Sequence, residues 1–360
     1  MPAASVPLPI RGRGARSNAS GRYDAQQREA FDDGWGEDDA APRQLATTVT
    51  TENARTIIAR NDSPDIGFNR SINPYRGCEH GCIYCYARPT HAYMGLSPGL
   101  DFESKLFFKP HAEALLAREL SKPGYAVEPI HIGGNTDVYQ PQERLLGVTR
   151  RILQTLQAFN HPLSIITKSA LIVRDADILG PMGKAGLVRA SVSITTLDRR
   201  LARSMEPRAA TPEKRFEAVA RLTDAGAPTS VSFAPIIPGL NDHELEAVLE
   251  RAKAAGAVGA HYTVLRLPLE IKDLFKQWLE SDHPDRARRV MSLVRQMRGG
   301  KAYDAQWGQR MKGVGPVADL IRNRFLLARR KHGLDGPHPA LDCTQFRVPP
   351  RPGDQLGFAF

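Results

Sequence analysis

Short apolar runs alternate with amphipathic stretches from about Ile66 to Leu267. Six runs, several rich in Val, Ile, Ser and Thr and bounded by Gly or Pro, read as strands: Ile66–Asn73, Val127–Gly133, Leu163–Thr167, Val188–Thr195, Thr229–Ile236 and His261–Leu265. Helix candidates lie between them at His111–Leu120, Gln142–Phe159, Val173–Leu179, Pro212–Ala225 and Asp242–Ala255. Leu145, Val148, Ile152, Leu153 and Leu156 recur at three- and four-residue spacing and predict one apolar helical stripe. Asn241-Asp242 ahead of Glu244 reads as a helix start, and Gly226 and Gly256 read as stops. Strands that each lead into a helix imply a parallel sheet. Six are too few to close an eight-stranded barrel, so the pattern predicts an α/β fold built as an open, partial (β/α)6 TIM-like barrel.

The flanks differ. Residues 1–65 mix an Arg-Gly repeat (Arg11-Gly12-Arg13-Gly14), Ser and Asn, and an acidic run from Asp32 to Asp39. They are expected to be a poorly ordered arm, with Phe31 and Trp35 as its apolar anchors. Residues 66–270 form the expected core domain. Residues 271–331 turn helical, with candidates at Leu274–Leu279, Asp285–Met297 and Pro316–Lys331. Residues 332–360 hold many Pro and Gly and read as a tail laid over the surface.

Composition narrows the class. With 360 residues, 41% of them hydrophobic, the chain can bury a sizeable core, which excludes a wholly disordered chain. Four cysteines are too few for a disulfide scaffold. No apolar run reaches the ~18 residues of a membrane span, and the opening residues show no continuous apolar signal region, so the reducing cytoplasm is the expected compartment. The net charge of +10 falls in one place. Arg286–Phe360 holds 15 Lys and Arg against 5 Asp and Glu, leaving 34 against 34 elsewhere. This basic region reads either as a nucleic-acid or phosphate surface or as a solvated helix and tail.

Three of the cysteines fall in one octapeptide, Cys78-Glu-His-Gly-Cys82-Ile-Tyr-Cys85, after the first strand. In a barrel, the loop after a strand opens onto the face that carries active sites. Gly77 and Gly81 allow the backbone to wrap closely around a bulky ion or cluster. Spacing leaves three readings open: structural zinc with His80 or His91 as fourth ligand, a group of redox or unbonded thiols, or a [4Fe–4S] cluster with three protein ligands and one iron left open.

The Cys-x3-Cys-x2-Cys pattern with Tyr84 before the last cysteine resembles the cluster loop of the radical S-adenosylmethionine (SAM) superfamily. Asn73-Pro74-Tyr75-Arg76-Gly77-Cys78 extends the likeness to the subgroup related to spore photoproduct lyase, and in detail to a bacterial group within it whose reaction is unsettled. The resemblance covers about residues 66–330. It implies that Cys78, Cys82 and Cys85 hold a [4Fe–4S] cluster whose open iron is chelated by SAM. Reductive cleavage of the sulfonium bond then gives a 5′-deoxyadenosyl radical that abstracts hydrogen from a substrate, with a flavodoxin- or ferredoxin-like electron donor as partner. Kinship with the lyase and the basic C-terminal region both point to nucleic acid as the first candidate substrate, with radical modification of a protein or a small molecule as the alternative within the class. The alternative of another class is a zinc-stabilised nucleic-acid-binding protein without catalysis.

The same resemblance nominates SAM contacts. Gly133-Gly134 matches the family's Gly-Gly-Glu motif, with Asn135 in place of the Glu. Asp137 and Tyr139 are expected to face the pocket. Lys168, ending the third strand, suits the SAM carboxylate. Alternation puts Ser191, Ser193 and Thr195 on one face of the fourth strand, and Ser193 is the expected SAM contact. Arg208 is a candidate carboxylate or phosphate grip. Ile236 and the Leu265–Pro268 turn are expected beside adenine, as are Tyr84 and Tyr86. Cys343 reads as an inert thiol. The lyase places a hydrogen-donating cysteine after its second strand, whereas this chain has Gly133–Asp137 there, which argues against the same thymine-dimer reversal.

Overall fold

The computed structural model describes residues 10–24, 45–336 and 340–350. Ten strands are numbered in chain order: β1 (Thr48–Thr51), β2 (Ile58–Arg60), β3 (Arg70–Ile72), β4 (Tyr75–Arg76), β5 (Lys105–Phe108), β6 (Ile130–Ile132), β7 (Leu163–Thr167), β8 (Val188–Ile194), β9 (Thr229–Ile236) and β10 (Gly259–Val264). Six of them form a parallel array in chain order, β3-β6-β7-β8-β9-β10, and β2 pairs antiparallel with β3 at one edge. No pairing joins β10 to β2 among the described residues, so the array is open, as the count of six strands implied. Outer helices cover it at Ala112–Leu120, Val148–Ala158, Ala176–Lys184, Pro212–Ala225 and Leu245–Ala254.

The best-defined helix shows why. Thr211 is extended and its side chain caps Lys214 N, Pro212 starts the first turn, and Gly226 ends it in a left-handed conformation at φ 102°. Its buried Phe216, Ala218, Val219 and Leu222 join the main core with Val192, Ile194, Val231 and Phe233 of the strands. The Gln142–Phe159 candidate is broken. Gly147, at φ 60°, separates Glu143–Leu146 from Val148–Ala158. Leu145 therefore leaves the apolar stripe and is 85% exposed. The Val173–Leu179 candidate is a 3-10 turn over Ala170–Asp175 followed by a helix.

A second core sits over the C-terminal ends of the strands. Cys82, Ile83 and Tyr84 pack there with Leu201, Met205, Ile237, Leu265, Ile271, Phe275, Trp278, Val290 and Val294. The helices Ile271–Asp282 and Pro284–Gln296 are thus built against the cysteine loop, while Gly315–Lys331 packs beside Leu245–Ala254. Two of the C-terminal cations are committed within the fold: Arg298 is buried on the Leu265 and Gln309 carbonyls, and Arg310 pairs with Asp65. Arg286, Arg288, Arg289 and Arg295 stand exposed on one helix.

The sequence reading of a poorly ordered N-terminal arm needs correction where the arm is described. Residues 45–65 contribute β1 and β2, and β1, β5 and β4 form a small second sheet. Residues 10–24 run across the cysteine loop with Arg13 and Ala15 buried. Phe31 and Trp35 lie outside the described residues. At the other end Phe346 packs on Tyr125, Phe159 and His161.

Candidate active site

The cysteine loop begins directly after β4. Gly77 and Gly81 hold φ +75° and +67°, and a Cβ on Gly77 would stand 2.8 Å from the Phe102 carbonyl. Glycine is therefore required for the loop to approach the body of the protein this closely. Cys78 N donates to Phe102 O at 3.0 Å, Ile83 N to Met205 O at 3.0 Å, and Cys85 N to Cys82 O at 3.2 Å. Arg88, fully buried, donates to Cys82 O at 2.9 Å and to Gly81 O at 3.1 Å. Cys78 and Cys82 are buried and Cys85 is half-buried. Burial pushes all three thiols up; for Cys78 the charges of Asp137, Cys82 and Cys85 add to it. Cys85 raises Cys82 in the same way, and a bound cation would favour the thiolate form of each.

Gly133 and Gly134 follow β6. Gly133 sits at φ +91°, and a Cβ there would be 2.4 Å from Ile166 O. Gly134 O accepts the Tyr86 hydroxyl, and the Arg266 guanidinium lies 5.0 Å from the Tyr86 ring centroid. Asp137 does not face an open pocket. It accepts from Thr167 Oγ1 at 2.6 Å, Tyr139 N at 2.9 Å and Lys168 N at 2.7 Å, and stands 3.2 Å from His80 Nδ1. Burial alone would raise its pKa, but His80 and these hydrogen bonds hold it well below the usual carboxylate range. It therefore ties the Gly-Gly loop to the end of β7 and to the cysteine loop. Tyr139 is also turned inward, fully buried with its hydroxyl on Asp175 at 3.0 Å.

Tyr84, Lys168 and Ser193 come together. Lys168 Nζ donates to Ser193 Oγ at 2.9 Å and lies 5.8 Å from the Tyr84 ring centroid. Ile236 is fully buried at the end of β9, and Leu265 and Leu267 are buried in the second core. Beneath Tyr84 is a node that sequence reasoning missed. Glu206, 2% exposed, accepts from the Tyr84 hydroxyl, from Thr195 Oγ1 at 2.5 Å and from Arg215. Burial pushes its carboxyl up, against the pull of Arg215. Arg208 is no free anion grip: it pairs with Glu79 of the cysteine loop at 2.6 Å. Cys343 sits in a segment whose Asp342 N donates to Gly186 O and whose Arg347 N donates to Phe159 O; Gly186 and Phe159 precede β8 and β7, at the far end of the strands from the cysteine loop.

Residues 72–252, half of the chain, match the family model of the radical SAM superfamily. The chain belongs to this superfamily: it is a radical SAM enzyme, and its cofactors are a [4Fe–4S] cluster and SAM. An uncharacterised protein of Mycobacterium tuberculosis (strain ATCC 25618 / H37Rv) is 35% identical over 230 residues, covering 63% of this chain and 68% of the relative. An uncharacterised protein of Methanocaldococcus jannaschii is 28% identical over 214 residues, 59% of this chain and 76% of the relative. Among solved structures, spore photoproduct lyase complexed with dinucleoside spore photoproduct has a similar fold, with TM-score 0.56, 14% identity and 79% of each chain covered.

The residues present fit the cluster. Three thiols share one loop against a glycine cradle, while His80 faces Asp137 and His91 Nε2 meets the Lys105 carbonyl at 3.0 Å. Membership of the superfamily, rather than the spacing of these side chains, decides for the cluster over structural zinc. Radical SAM enzymes draw their electron from a donor. Among the described residues no helix is long and apolar enough to cross a membrane.

Proposed function

We propose that Cys78, Cys82 and Cys85 ligate the [4Fe–4S] cluster and that SAM binds beside it, over the C-terminal ends of β6, β7 and β8. The observation that carries this reading is one loop with three free cysteines set beside Tyr84, Lys168 and Ser193 at one end of an open parallel array. When bound, the cluster and SAM supply one-electron cleavage of a sulfonium bond and a carbon radical that takes hydrogen from the substrate. The Lys168 ammonium offers a counter-charge for the SAM carboxylate. Ser193 holds that ammonium in place, and Gly133 and Gly134 bring backbone within reach of the ligand. Tyr84 presents a ring face whose hydroxyl Glu206 fixes, and Ile236 backs the pocket from the core. Nucleic acid is the substrate class we infer, held through the exposed Arg286, Arg288, Arg289 and Arg295. A flavodoxin- or ferredoxin-like protein supplies the electron, and the cytoplasm is the compartment.

The test is anaerobic reconstitution followed by dithionite and SAM. The reconstituted protein is expected to be brown, to bleach in air and to release 5′-deoxyadenosine. Cys343→Ala is expected to do the same at the wild-type rate, because that thiol lies at the opposite end of the strands. An iron-loaded sample that releases no 5′-deoxyadenosine would overturn the reading. An oligonucleotide substrate should raise the release, and the gain should fall steeply between 50 and 200 mM salt, the range over which four phosphate contacts lose about 10²-fold in affinity.

A further inference from the structure

We propose that the N-terminal segment Gly12–Ala15 is part of the cluster-holding site, a strap that keys the Cys78–Cys85 loop into its binding shape. This rests on the reading that those three cysteines ligate the cluster. The segment lies outside the part of the chain that matches the family, residues 72–252.

The dependence runs through two buried carboxylates. Arg88 shapes the loop by donating to the Gly81 and Cys82 carbonyls, and its other donors reach Pro98 O at 3.1 Å, Gly99 O at 3.0 Å and the Glu103 carboxylate. A fully buried guanidinium needs a counter-charge, and Glu103, also fully buried, supplies it. Glu103 in turn is completed by the strap. Gly14 N donates to Oε2 at 2.9 Å, Ala15 N to Oε1 at 2.8 Å, and Arg13 to the Glu103 carbonyl at 2.5 Å. Without the strap this carboxylate loses the two backbone hydrogen bonds that complete it.

The second carboxylate is Glu79, next to Cys78 and 2% exposed. It accepts from Arg208 at 2.6 Å, from Thr47 and from Gln142 at 3.2 Å. Arg208 also donates to Gly12 O at 3.1 Å, and Arg13 to Thr47 Oγ1 at 2.8 Å. The seat admits only glycine at its centre: a Cβ on Gly14 would lie 1.9 Å from Gly81 O, inside the cysteine loop itself. The strap's far end is fastened elsewhere, by Arg16 on Asp282 and by Arg22 on Glu270 at 2.9 Å. Its two halves can therefore be tested separately.

The experiment compares the full-length wild type with Gly14→Val, Arg13→Ala and, as control, Arg22→Ala. Each is reconstituted anaerobically, assayed for iron and sulfide per chain, and challenged with EDTA while the cluster absorbance is followed. Gly14→Val and Arg13→Ala are expected to lose the cluster at least ~10-fold faster, the scale on which supporting residues affect metal sites. Arg22→Ala should behave as wild type. The iron-free Gly14→Val and Arg13→Ala proteins should keep wild-type far-UV ellipticity. Wild-type retention in both variants would overturn the strap's role alone. So would loss of ellipticity in the iron-free variants in proportion to the loss of iron, which would mark a general folding defect. A wild type that takes up no iron would overturn the cluster reading and the strap with it.

Discussion

Cys82→Ala is expected to leave a folded chain that takes up almost no iron and forms no 5′-deoxyadenosine. Cys82 is the middle thiol of the three, 8% exposed, and it packs in the second core beside Ile83 and Tyr84. Its backbone carries much of the loop's order. The carbonyl accepts from Arg88 at 2.9 Å and from Cys85 N at 3.2 Å, and neither bond involves the sulfur. Truncation to alanine removes one small, soft atom and leaves those bonds in place, so the cost to folding is about 1 kcal/mol. The cost to cluster binding is of another kind. Two thiolates on a strongly curved loop cannot hold a cubane that is already one protein ligand short. Iron per chain should therefore fall from about four to near zero, while far-UV circular dichroism stays that of the wild type. Iron content close to wild type in Cys82→Ala would show that the metal sits elsewhere.

The cysteine loop stood out in the sequence as a candidate ligand set because ligand chemistry imposes a spacing, and spacing survives in one dimension. The sheet was legible for a similar reason. Leu163–Thr167 and Thr229–Ile236 are apolar runs between turn residues, and the structure gives them those same bounds. Thr211, Pro212 and Gly226 likewise mark one helix from end to end. What could not be read was order produced by buried charge. Glu79, Glu103, Glu206, Arg88 and Arg215 all look like surface residues in a sequence, and each is 2% exposed or less. Their burial depends on partners far along the chain, such as Arg13 with Glu103 or Arg208 with Glu79, so no local period reports it. The N-terminal strap was misread for this reason: it has few apolar residues, and what orders it is a set of hydrogen bonds to carboxylates some ninety positions away. The β1, β4 and β5 strands were missed on length, being two to four residues long and too short to show alternation.

Acidification should begin to destabilise the chain above the pH at which its carboxylates titrate. Three histidines are held neutral by burial, His91, His131 and His161, each with its pKa lowered to about 4. Their hydrogen bonds suit the neutral ring. His161 Nδ1 lies 2.9 Å from the Pro162 carbonyl and Nε2 2.9 Å from the Tyr125 hydroxyl, and His131 Nδ1 meets Ser164 Oγ at 2.9 Å while its ring stacks on Phe68. His91 donates from Nε2 to Lys105 O, which leaves Nδ1 buried with no partner; a proton there would find no acceptor. In an unfolded chain all three titrate near 6.5. Above that pH they are neutral in both states and do not affect the balance. Between about 6.5 and 4 the unfolded chain binds protons that the folded chain refuses, so stability falls with pH, and the loss is complete below about 4. Each shift corresponds to about 3 kcal/mol, and the three together to an amount of order 10 kcal/mol, comparable with the whole stability of an ordinary domain. Denaturant titrations of the iron-free chain at pH 7.5, 6 and 5 should show the midpoint falling steeply, and His161→Gln should remove about a third of that slope. A midpoint that stays level from pH 7.5 to 5 would mean that these rings accept protons in the folded state, and that the packing around Phe68, Tyr125 and Phe102 is looser than it stands here.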